Sequence, residues 1–115
     1  MIVPLHLNAG EVLIREGEQS DCMYILRKGA LTVSKSKQGV PTDIGVVKAG
    51  ETVGEISFLD QRPRSATVKA QTASELVMIN RPHFEAQLAQ SPELIQNILK
   101  AMAERIRKTD EKIVY

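Results

Sequence analysis

From the N-terminus to Thr72 the apolar positions come in short runs, each stopped by a glycine-bearing turn. Leu5-His6-Leu7 leads into Asn8-Ala9-Gly10, and Glu11-Val12-Leu13-Ile14 runs to Arg15-Glu16-Gly17-Glu18. Met23-Tyr24-Ile25-Leu26 ends at Lys28-Gly29, Ala30-Leu31-Thr32-Val33 follows, and Ile44-Gly45-Val46-Val47 stops at Ala49-Gly50. Runs of this length and spacing predict the strands of a sandwich or barrel, not alternating strand–helix units. Lys35 to Thr42 is polar and holds Gly39 and Pro41, which predicts a hairpin loop. Thr67-Val68-Lys69-Ala70 alternates like a strand, and Glu75 to Ile79 is the last predicted strand.

After Asn80 the pattern changes. Asn80 is a good helix cap and Pro82 sits near the first helical position, so a short helix is predicted through Phe84 to Leu88. Ser91-Pro92 repeats the start signal, and neither glycine nor proline interrupts from Glu93 to about Glu111. Ile95, Leu99, Met102, Ile106, Thr109 and Ile113 fall at alternating steps of four and three, the spacing of a coiled-coil seam. Glu104, Arg105, Arg107, Lys108 and Glu111 fit exposed positions beside it. This seam outlasts one face of a barrel, so pairing with a second copy is favoured over packing on the strands. The expected division is a β barrel over 1–80 and helices over 81–115, with a dimerisation helix at 92–113.

Composition narrows the function classes. At 115 residues the chain supports a single core. A net charge of +1 argues against the clustered basic excess of a large nucleic-acid footprint. With 3% aromatic residues and no Trp, no stacking platform for single strands is evident. The lone Cys22 cannot form an internal disulfide, which fits a reducing compartment. No apolar run approaches membrane-spanning length, and the N-terminus lacks a basic region followed by an apolar core. A soluble, cytoplasmic protein with no membrane partner is expected.

The candidate chemistry lies between Val53 and Val68. Gly54 allows close backbone approach, because no Cβ stands in the way. Glu55 to Leu59 can form one helical turn whose free N–H groups point toward an anion. Nine residues past Glu55 comes Arg64, a fixed cation with a planar fork of donors suited to phosphate oxygens. Ser65 and Ala66 are small, so the backbone there can also approach a ligand. Glu55 would repel a phosphate, so it is expected to accept hydrogen bonds from a hydroxyl group or to steady Arg64. The plain alternative is an exposed Glu–Arg ion pair of little energetic consequence.

Gly54-Glu55-Ile56-Ser57 followed by Arg64-Ser65-Ala66-Thr67-Val68 resembles the phosphate-binding cassette of the cyclic nucleotide-binding domain family. The resemblance implies that Glu55 holds the ribose 2′-hydroxyl and Arg64 the cyclic phosphate, with backbone groups of Gly54, Ile56, Ser57, Ser65 and Ala66 around them. Gly10 to Ile14, Gly17-Glu18, Tyr24 to Leu26, Gly29 and Gly50 match the family's landmarks in order. They are turn glycines and core residues, and no chemistry is assigned to them. The implied fold is mainly β with C-terminal helices: an eight-stranded double-stranded β-helix, or jelly roll. In the family Val33 and Val47 lie on strands facing the sugar and base, although such valines are ordinarily core.

Ala101 to Ile106 with Thr109 to Lys112 resembles the dimer helix of the catabolite activator class of bacterial regulators. There a Thr at the place of Thr109 reaches the adenine amino group; a polar residue tolerated in a seam is the alternative. Within the family Ser65 directly after the Arg leans toward adenine, which implies cyclic AMP, with cyclic GMP second. Family members usually begin with a helical segment, whereas this chain starts almost on its first strand. The regulators also continue into a helix-turn-helix, while this sequence ends at Tyr115, so DNA binding by this chain alone is not expected.

Two other classes compete. Cupin-type jelly rolls are metal enzymes, but those sites need clustered His and carboxylate ligands. Here only His6 and His83 are present, far apart in sequence, and neither Cys22 nor Ser57 has a His nearby in sequence. An enzyme is not expected, nor a cofactor. The second rival is a dimerisation or interaction module whose cassette stays empty. The favoured reading is a cyclic nucleotide sensor that forms a homodimer through its last helix.

Overall fold

A computed structural model describes residues 2–19, 22–55, 61–90 and 92–109. Among the described residues eight strands are present: β1 (Ile2–Leu7), β2 (Val12–Ile14), β3 (Cys22–Lys28), β4 (Ala30–Lys37), β5 (Val40–Lys48), β6 (Thr52–Val53), β7 (Thr67–Ala70) and β8 (Ser74–Asn80). They form two four-stranded sheets, ordered β1-β8-β3-β6 and β2-β7-β4-β5, with every pairing antiparallel. This is the expected mainly-β jelly roll. Alternation along each strand sends one set of side chains into the space between the sheets. Leu26, Val53 and Leu76 of the first sheet and Leu31, Val33, Val47 and Val68 of the second belong to one core, each fully buried.

The loop predicted over Lys35 to Thr42 is mostly strand. Lys35 pairs with Thr42, Ser36 with Pro41 and Lys37 with Val40, so only Gln38-Gly39 is left to reverse the chain. Both have positive φ, 53° and 81°, the conformation that lets a two-residue turn follow the twist of the flanking strands. The polarity that suggested a loop marks a part of the hairpin where side chains are exposed. Pro41 is tolerated because β5 is the edge of its sheet. The sequence reading also passed over β6, two residues long, which pairs Val53 with Tyr24 and Thr52 with Ile25.

Two helices follow, α1 (Arg81–Leu88) and α2 (Glu93–Thr109). Asn80 caps α1 as its residue type predicts: the His83 N–H donates to its Oδ1 at 3.1 Å. Helix α1 packs against β8. On α2, Ile95 and Met102 of the predicted seam are 44% and 52% exposed, and Leu94 and Ile98 join them at 68% and 43%. The apolar stripe is therefore wider than the seam read from spacing, and at these four positions the barrel leaves it open. The predicted helix end and Ile113 lie outside the described residues.

Candidate functional site

Two segments from opposite sheets build the site. Strand β6 pairs with β3 and delivers Gly54 and Glu55 from its end, while Arg64, Ser65 and Ala66 lead into β7 of the other sheet. The main chain of Arg64 is held from both sides: its N–H donates to the Glu18 carbonyl at 2.8 Å, and its carbonyl accepts from the Gly17 N–H at 2.8 Å. The turn making those bonds is itself closed, with the Glu18 N–H on the Arg15 carbonyl and the Arg15 N–H on Glu18 Oε1, both at 3.1 Å. The Glu16 N–H bonds Thr67 Oγ1 at 3.0 Å and fastens the same turn to the start of β7. Sequence reasoning gave Gly17-Glu18 no part in the site. They clamp its arginine.

The Arg64 side chain is only 4% exposed. Its Nη1 donates to the Gly54 carbonyl at 2.9 Å, and its Nη2 donates to the Cys22 carbonyl. Gly54 sits at φ 83°, and a Cβ built there would stand 2.5 Å from Nη1, so only glycine admits the guanidinium. Arg64 Nε is buried with no hydrogen-bond partner among the described residues. Burial holds the guanidinium below the usual arginine range, opposed by the neighbouring Cys22, Tyr24, Glu18 and Glu55 groups.

Glu55 carries the complementary deficit. Its Oε2 is buried and unpartnered among the described residues. Burial raises its carboxyl above the ordinary range, against hydrogen bonds from its own backbone N–H and the Thr52 side chain and against the charge of Arg64. One end of the site thus presents an unfilled acceptor and the other an unfilled donor on a cation. Buried polar groups without partners are costly, so this arrangement suits a ligand that supplies a hydroxyl donor and an anionic acceptor together.

Beside Arg64 lies a pair absent from the sequence-based site. Cys22 Sγ and the Tyr24 hydroxyl are 3.2 Å apart, and Tyr24 is 7% exposed. Burial, then the bond to Cys22, pushes the phenol well above its usual range, so it stays neutral. Strand alternation could have placed Tyr24 inward with Leu26. Nothing in residue type marks the carbonyl of Cys22 as an acceptor.

Of the other predicted residues, Ala66 is buried, at 1% exposure, and Ser65 is half-buried beside Arg64. Val33 and Val47 are core residues with 0% and 1% exposure. Ile56 and Ser57 lie outside the described residues, as does the predicted helical turn past Glu55. Thr109 closes α2, and its side chain lies outside what is described. His6 is on the surface, 3.5 Å from Glu75.

The family model for the cyclic nucleotide-binding domain matches residues 4–91. The chain is 35% identical over 105 residues to the lysophospholipase NTE1 of Pyricularia oryzae, covering 90% of this chain and 7% of that protein. It is 29% identical over 103 residues to the cAMP-activated global transcriptional regulator CRP of Salmonella typhimurium, covering 88% of this chain and 49% of the regulator. The chain therefore spans a small part of the first relative and about half of the second. Among solved structures, the regulatory domain of Toxoplasma gondii PKA with cAMP matches at TM-score 0.72 and 35% identity, over 74% of this chain and 33% of that one.

Proposed function

This chain belongs to the cyclic nucleotide-binding domain family, and from that premise we infer that its cassette binds a cyclic purine nucleotide, cyclic AMP ahead of cyclic GMP. The observation that carries the reading is the pair of orphaned buried atoms, Arg64 Nε and Glu55 Oε2. A cyclic phosphate oxygen accepts from the guanidinium, and a ribose 2′-hydroxyl donates to the carboxylate. Each buried charge gains a partner it lacks, which turns a desolvation penalty into binding energy. Backbone groups of Gly54, Ile56, Ser57, Ser65 and Ala66 complete the anion site, while Val33 and Val47, sealed in the core, support it from behind without lining it. The preference for cyclic AMP rests on Ser65 and on the nucleotide named for two relatives, the Salmonella regulator and the Toxoplasma regulatory domain.

The output is helix position. Thr109 contacts the adenine from its own or the partner's subunit, so a ligand touching cassette and helix favours the closed arrangement of the two, provided its affinity for the two arrangements differs. The open apolar stripe of α2 supports a homodimer through that helix. In this reading the chain is a cytoplasmic sensor domain and carries no catalysis of its own.

Calorimetric titration with cyclic AMP and cyclic GMP, with Arg64→Ala as control, tests the reading. Saturable heat that is lost in the variant supports the sensor and ranks the bases. Absence of heat and of any thermal shift at high ligand would leave a dimerisation module whose cassette is not used for nucleotide.

A further inference from the structure

We propose that Asn80 is a positioning residue for the Arg64 guanidinium, and that the strand end it shares with Cys22 ties the cassette to the start of the helices. Two hydrogen bonds and the strand pairing between them carry this. Arg64 Nη2 donates to the carbonyl of Cys22, the first residue of β3. Cys22 stands opposite Asn80, the last residue of β8. The Asn80 side chain accepts the His83 N–H at 3.1 Å and so caps α1, which begins one residue later.

Each link is stiff. The guanidinium is a planar fork that bonds the Gly54 and Cys22 carbonyls at once, so it cannot follow one without leaving the other. Among the described residues β6 pairs with β3 only at Tyr24 and Ile25, so Cys22 lies beyond that ladder. Cys22 is further fixed by its thiol on the Tyr24 hydroxyl at 3.2 Å, and Tyr24 itself pairs with Met78 of β8. Asn80 belongs at once to the sheet, by register, and to the helix, by its cap. A shift of the first turn of α1 therefore moves the carbonyl on which Arg64 rests.

The consequence for signalling rests on the nucleotide reading above. An anion that draws the guanidinium toward itself weakens the bond to Cys22 and loosens the cap. By reciprocity, anything that loosens the cap changes affinity at Arg64.

Two ligand-free NMR measurements decide the positioning role. In Arg64→Met, exchange of the His83 amide is expected to speed up roughly fivefold, the scale of a lost N-cap. The Gln71 amide, bonded to the Ala30 carbonyl at 2.8 Å in the other sheet, should keep its rate and so reports on global unfolding. Reciprocally, Asn80→Ala should move the Arg64 Nε–H resonance, while Asn80→Asp, which still caps, leaves it in place. An unchanged His83 rate, or an Arg64 resonance indifferent to Asn80→Ala, overturns the proposal. With cyclic AMP present, Asn80→Ala should bind roughly fivefold more weakly and Asn80→Asp like the wild type. Equal affinity of all three overturns the link to signalling. If the wild type binds no cyclic nucleotide, the sensor reading falls, and the two ligand-free measurements still decide whether Asn80 positions Arg64.

Discussion

Nη1 of Arg64 lies 2.9 Å from the carbonyl oxygen of Gly54, in a position where a methyl group on that same glycine would approach it to 2.5 Å. Gly54 thus both anchors the arginine and makes room for it. Gly54→Ala must adopt a positive φ and push the guanidinium aside. The strain alone costs about 1–3 kcal/mol, readable as a lower urea midpoint. Nucleotide affinity should fall with it, because Arg64 loses its resting place.

Arg64→Lys keeps the charge and loses the fork. An ammonium cannot reach two carbonyls and a phosphate as a planar guanidinium does. Cyclic AMP affinity should drop at least about tenfold by calorimetry, the scale of one lost charge-assisted hydrogen bond. Affinity equal to the wild type would mean that the fork geometry is irrelevant to binding.

Glu55 makes stability and binding pull in opposite directions. Its folded pKa is raised above the unfolded value, so the folded state holds this proton more tightly. The associated stability is present in acid and is lost as pH rises through the folded pKa. Glu55→Gln, which never ionises, should therefore unfold at higher urea than the wild type at neutral pH, with the gap closing toward about pH 4. The same variant should bind cyclic AMP about tenfold more weakly, since a neutral amide is a poorer acceptor than a carboxylate. Wild-type affinity should decline in acid, where the proton competes for Oε2.

The open stripe on α2 predicts self-association. Ile98→Asp or Met102→Asp places a charge in the stripe and should shift sedimentation velocity toward the monomer. Both side chains are exposed in the single chain, 43% and 52%, so barrel stability should change by no more than about 0.5 kcal/mol. A dimer that survives both substitutions would have its interface elsewhere.

The strands were legible because burial writes itself into residue type: Leu31 and Val33 point inward with a half-buried Thr32 between them, and alternation records that. Gly54, Glu55 and Arg64 were legible because their side chains, or the lack of one, define the site. The acceptors of Arg64 were not, because a carbonyl belongs to every residue and Cys22 bears no outward sign of the role. Gly17-Glu18 looked like a turn and is one, but its contact with Arg64 spans 47 and 46 residues of sequence, which local pattern cannot register. The hairpin was misread for another reason. Polarity measures exposure, and exposed strand ends look like loops until turn chemistry at Gln38-Gly39 is weighed.

That two-residue reversal is also an engineering handle. A Cβ added at Gly39 would meet nothing within 4 Å, and Gln38 and Gly39 are both exposed. Loop tips of this kind accept insertions, and lengthening a loop adds closure entropy only slowly. A fluorescent reporter spliced between Gln38 and Gly39 would hang from the open end of the β4–β5 ladder. It would leave Glu55, Arg64 and α2 untouched in sequence, so the domain could be followed optically while the binding predictions above are tested.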